Sequence, residues 1–62
     1  MKNVLIARAG VQTLTDSFFF LFSAKRVAKK LIEQNGFQSV EIITRKKTIR
    51  AQRSSRGKIL WL

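Results

Sequence analysis

Residues 24–35 hold the one stretch whose apolar positions recur at helical spacing. Ala24, Val27, Ala28, Leu31 and Ile32 fall on one side at about 100° per residue, and Lys25, Arg26, Lys29, Lys30 and Glu33 fall on the other. A single helix with one apolar stripe cannot bury that stripe by itself, so the rest of the chain has to supply the layer beneath it. Ser23 suits the N-cap, because its hydroxyl can accept from the free amides of the first turn. Gly36 suits the position just past the end, with Phe37 folding back toward Leu31 or Ile32.

The segment before this helix admits two readings. One helix over residues 16–35 places Phe20 with the apolar stripe but turns Phe18, Phe19 and Phe22 toward Lys25, Arg26, Lys29 and Glu33. Exposing three phenylalanines among charges carries a substantial solvation cost. Cutting the segment at Ser23 leaves residues 18–22 as a short aromatic strand buried on both faces, and this is the favoured reading. It makes Phe18, Phe20 and Phe22 core or dimer-interface residues rather than an aromatic surface.

Strand patterns account for the remainder. Asn3–Ala9 is apolar on both faces, as a central strand should be, and residues 10–17 read as a connection rich in turn formers. Residues 38–45 alternate Val40, Ile42 and Thr44 with Glu41, Ile43 and Arg45. A turn at Lys46 and Lys47 leads to Thr48–Arg53, where Ile49 and Ala51 alternate with Thr48, Arg50 and Gln52. Residues 54–57 make a turn and residues 58–62 a last strand. The expected fold is α+β: a single domain over residues 1–62 with a five-stranded (or four-stranded) mainly antiparallel sheet in the order 2-1-3-4-5. The helix at about 24–35 covers one face, and no parallel pairing is needed.

Sixty-two residues make a small core. There is no cysteine and no histidine, so disulfides and the usual zinc sites are excluded. Added stability has to come from dense packing, a partner, or self-association as a homodimer. The same absences remove the common catalytic bases and nucleophiles. Asp16, Glu33 and Glu41 fall on different elements, and Gly10, Gly36 and Gly57 are isolated, so no phosphate loop is present. The chain is expected to be non-enzymatic, without cofactor, metal or small-molecule substrate. Its longest apolar run is far below the roughly 20 residues of a transmembrane helix, and it is expected to be soluble and cytoplasmic.

Charge is the strongest functional signal: thirteen Lys and Arg stand against three Asp and Glu, a net +10. Solubility alone asks for a net charge of about 2–8 in a small domain, so the excess points to a polyanionic partner. One cluster is Lys25, Arg26, Lys29 and Lys30 on the outer face of the helix. The other is Arg45, Lys46, Lys47, Arg50, Arg53, Arg56 and Lys58, seven positive charges within fourteen residues and no acid between them. On a twisted ribbon these would follow a phosphate backbone, Arg50 from one face and Arg53 from the other or from the strand end. Lysine-rich edges also deter sheet-to-sheet aggregation, which explains a few lysines more easily than four arginines. Trp61 serves either as packing for the last strand or as a stacking platform. Binding of the basic helix to an anionic membrane surface is a further alternative.

Ala24-Lys25-Arg26-Val27-Ala28 opening the helix, Val40-Glu41-Ile42-Ile43, Thr48-Ile49-Arg50-Ala51, and the closing Gly57-Lys58 with Trp61 together resemble small phage-type β-β-α-β-β-β proteins. Among these, a type I-F anti-CRISPR family looks similar over residues 18–61. The resemblance implies binding to a CRISPR surveillance complex and interference with its recognition of target DNA, with Lys25 and Arg26 at matching basic positions. Two functions are therefore expected in order: nucleic-acid binding (DNA or RNA) mainly through phosphates, and inhibition of a nucleoprotein defence complex through the same basic surface.

Overall fold

The computed structural model describes residues 2–62. Five strands and one helix follow in the order β1 (Asn3–Ala9), β2 (Gln12–Phe18), α1 (Leu21–Glu33), β3 (Ser39–Ile43), β4 (Thr48–Arg53) and β5 (Ile59–Trp61). The strands form one antiparallel sheet in the order β2-β1-β3-β4-β5, and α1 packs across one face. The α+β architecture and strand order are those expected from the sequence.

β1 lies in the interior of the sheet, between β2 and β3, and is apolar on both sides. Leu5 and Ala7 are fully buried under the helix, while Val4 and Ile6 lie half-buried on the opposite face. Cross-strand register extends the buried row: Leu5 pairs with Ile42 and Ala7 with Val40, and Val40 in turn faces Ala51. Ala24, Ala28, Leu31 and Ile32 close the core from above. Alanine at positions 7, 24, 28 and 51 lets the helix approach the sheet closely, while Leu5, Ile32, Val40 and Ile42 fill the space between them. Each of those four larger side chains contributes about 1.5–3 kcal/mol by leaving water.

The expected strand at 18–22 is not formed, and its place is taken by an earlier one. Residues 10–17, expected as a connection, are mostly strand β2, which pairs with β1 from Asn3–Phe18 to Ala9–Gln12. Gly10 and Val11 form the whole turn, with Gly10 at φ 62, the positive angle that a two-residue hairpin of this hand requires at its first position. β2 is an edge strand wet on both sides, so it shows no apolar alternation for a sequence pattern to register. The helix likewise begins three residues early, at Leu21, which joins Ala24 and Ala28 on the buried stripe. Ser23, expected at the N-cap, lies inside the first turn, and Phe20 caps the helix without a side-chain bond.

Both remaining turns are built by hydroxyls. Thr44 Oγ1 accepts from the amides of Lys46 (3.3 Å) and Lys47 (3.0 Å), supplying what an Asn or Gly would otherwise provide between β3 and β4. Ser54 Oγ accepts from the amides of Arg56 (3.3 Å) and Lys58 (3.2 Å) between β4 and β5. At the end of α1, Gly36 adopts φ 75, and the Phe37 amide returns to the Leu31 carbonyl at 3.1 Å. The Phe37 side chain packs against the core there, as expected.

Candidate nucleic-acid interface

Lys25, Arg26, Lys29 and Lys30 all lie on the exposed face of α1. Lys25–Lys29 and Arg26–Lys30 are four apart, and Arg26–Lys29 three apart, so like charges stand side by side along the helix. No acid occupies the first turn to balance the macrodipole. Each of these arrangements costs the helix a few tenths of a kcal/mol. Lys25 has an aromatic neighbour, its Nζ lying 5.7 Å from the centroid of Trp61, within cation–π range.

Glu33 was expected to face outward with this row. It turns instead toward β5, where Oε2 accepts from the Ile59 amide at 3.0 Å. That bond ties the last strand to the helix and leaves the Glu33 carboxylate committed to the backbone.

The second basic cluster is divided by the fold. Arg45, Lys46 and Lys47 are exposed at the β3–β4 turn, and Arg56 and Lys58 at the β4–β5 turn. The six residues of β4 hold these turns about 17–20 Å apart. Arg53 lies between Gly36 and Gly57, so close that a Cβ on Gly57 would come within 3.3 Å of its Nη2. Arg50 projects from the opposite, uncovered face of the sheet, where its Nε sits 3.6 Å from Glu41 Oε2.

Arg8, which sequence reasoning passed over, donates from Nη1 to the other oxygen of Glu41. A run of β1, β3 and β4 side chains thus forms Arg8–Glu41–Arg50 across the sheet. The hydrogen bond from Arg8 holds the Glu41 carboxyl below its ordinary pKa. Partial burial opposes that shift, and the fields of Arg8 and Arg50 add to it. Both ion pairs among the described residues fall on Glu41. The signal for Arg8 was a register: its place diagonal to Glu41 is legible only once β1 is aligned with β3.

Phe20 and Phe22, expected in a core or dimer interface, lie outside this chain's core, whereas Phe18 and Leu21 of the expected aromatic strand pack against it. Phe19, Phe20 and Phe22 are 69%, 54% and 62% exposed, and they contact one another. Phe19 meets Phe20 edge-on at 4.8 Å, and Phe20 stacks on Phe22 at 5.4 Å. Trp61 keeps part of its surface open beside Lys25.

Among the described residues no three His, Cys, Asp or Glu side chains gather where a metal ion could be held. No helix among the described residues is long and apolar enough to cross a membrane. Compared with protein-family models, with curated proteins and with solved structures, the chain finds no match.

Proposed function

We propose that this chain is a small non-enzymatic nucleic-acid-binding protein that holds phosphates on the outer face of α1. One observation carries the reading: Lys25, Arg26, Lys29 and Lys30 stand together on an exposed helix face with no acid paired to any of them among the described residues. The nearest carboxylate on that helix, Glu33, is turned to the Ile59 amide. A helix selected for stability alone would place acids among these cations, and the small electrostatic penalties it accepts are offset when phosphates arrive. Arg56 and Lys58 add charge at the β4–β5 turn, next to the strand that Glu33 anchors.

Contacts of this kind read charge rather than sequence, so affinity should fall steeply with salt and vary little with base order. Four phosphate contacts give a log–log salt slope of about −3 for a single strand and about −4 for a duplex. Mobility-shift titrations of random-sequence DNA and RNA across salt test this directly, and absence of binding at low salt would overturn it. Retention of one stoichiometric protein after nuclease treatment, without a shift on either nucleic acid, would instead set the basic face against a protein. That is the arrangement implied by the anti-CRISPR resemblance.

A further inference from the structure

Folding gains little from Phe19, Phe20 and Phe22, because each keeps more than half its surface in water. They are nevertheless held in place. Asn3 Nδ2 donates to the carbonyls of Phe18 and Phe19, both at 3.3 Å, fixing the chain where it leaves β2. Phe18 and Leu21 on either side pack against the core. The three rings therefore project from a pinned bend and a first helical turn, in mutual contact.

Phe22 also heads the cationic row. Arg26 lies four residues on and Lys29 seven, so ring and charges share one stripe of the helix surface. From Phe22 to Lys30 the helix rises about 12 Å, the length of three or four nucleotides of a stacked strand. We infer that the partner is single-stranded nucleic acid, with bases stacked on Phe19, Phe20 and Phe22 while the phosphates lie along Lys25 to Lys30. This rests on the phosphate-binding reading above and adds to it the strandedness and the base contact.

The chemistry selects this occupant over two others. A duplex keeps its base faces inside, and presenting them to the rings requires unstacking, which a single strand does not. A lipid surface needs apolar anchors along the face that lies on it. Beyond Phe22 that face carries Lys25, Arg26, Lys29, Lys30 and Gln34, and the apolar side of α1 is sealed against the sheet. Every base has a stackable face, so the pairing of rings with a cationic row tolerates any sequence.

Fluorescence anisotropy should compare three labelled probes of about twelve nucleotides: oligothymidylate, an abasic strand of equal charge, and a duplex. Oligothymidylate is expected to bind at least about tenfold more tightly than the abasic strand. Phe19→Ala/Phe22→Ala should bring it down to the abasic level, leaving abasic affinity and the salt slope unchanged. Both rings are exposed, so their removal opens no cavity, and circular dichroism checks the fold. Phe22→Trp should restore the preference, with the new indole quenched as bases stack. Equal affinity of the unaltered protein for oligothymidylate and the abasic strand would overturn the inference while leaving phosphate binding intact. Failure to bind any of the three probes would overturn both. Loss of binding to phosphatidylserine vesicles in the Phe variants, with oligothymidylate affinity unaffected, would assign the rings to a membrane and also overturn it.

Discussion

On the uncovered face of the sheet, Arg8 and Arg50 flank Glu41 and share its two oxygens; on the outer face of α1, Lys25, Arg26, Lys29 and Lys30 have no acid partner among the described residues. The same residue types thus do different work. In the sheet, cross-strand register brings an acid between two arginines, so one of their two charges is balanced within the protein. Along the helix, the only acid within a turn of Lys30 is Glu33, and it faces β5. Local count of basic residues therefore says less about a binding surface than which of them lack an internal counter-charge.

The deepest contrast between the two faces is one of packing. Ile42 is fully buried beneath α1, while Ile43, its neighbour on β3, is 41% exposed on the other side. Ile42→Ala is expected to cost about 2–5 kcal/mol, a large part of the stability of a domain this size, and Ile43→Ala less than about 1 kcal/mol. Urea titrations followed by Trp61 fluorescence measure both; similar losses would mean that the open face is covered in solution. Next in size is the helix row. Replacing Lys25, Arg26, Lys29 and Lys30 together by Ala should lower nucleic-acid affinity by about two to three orders of magnitude near 0.1 M salt and flatten the salt slope by about three.

Arg50→Ala should change the salt slope by less than about half a unit, because Glu41 already faces that charge. Glu41→Gln releases both arginines and should raise affinity by up to about fivefold. Binding that tracks Arg50 as strongly as Arg26 would erase the distinction between the faces. The smallest effect is on stability in acid. With its folded pKa below the ordinary 4.5, Glu41 stabilises the fold above that value, and the contribution disappears as pH falls through the lower, folded pKa. Thermal melts should lose more between neutral pH and pH below about 4.5 in the unaltered protein than in Glu41→Gln.

Much of the scaffold was readable from the chain alone, since β1, β3, β4 and the stripe of α1 each bury one face or both. Their periods follow directly from that burial: Val40 and Ile42 alternate because Ile43 and Glu41 look the other way. β2 escaped because an edge strand wet on both sides needs no apolar period, only extended residues such as Thr13 and Thr15 and the Gly10 turn. The aromatic block misled for the opposite reason. Placing large apolar groups inside is a sound rule for stability, and Phe19, Phe20 and Phe22 break it. Of the basic residues, the helix row was legible from spacing alone. So was the division of the second cluster between the turn at Lys46 and Lys47 and the strand face that carries Arg50; the engagement of Arg50 and Arg8 by Glu41 depended on strand register.

The interior place of β1 has a consequence for how the molecule opens. Its amides are bonded to β2 on one side and β3 on the other, beneath the helix. No small fraying motion frees them, so their hydrogens should exchange with deuterium only when the whole domain unfolds. β5 has three residues and a free edge, held through β4 and the Glu33 carboxylate. Its protons should exchange orders of magnitude sooner, and a mass-spectrometric time course would resolve the sheet into a slow centre and a fast rim.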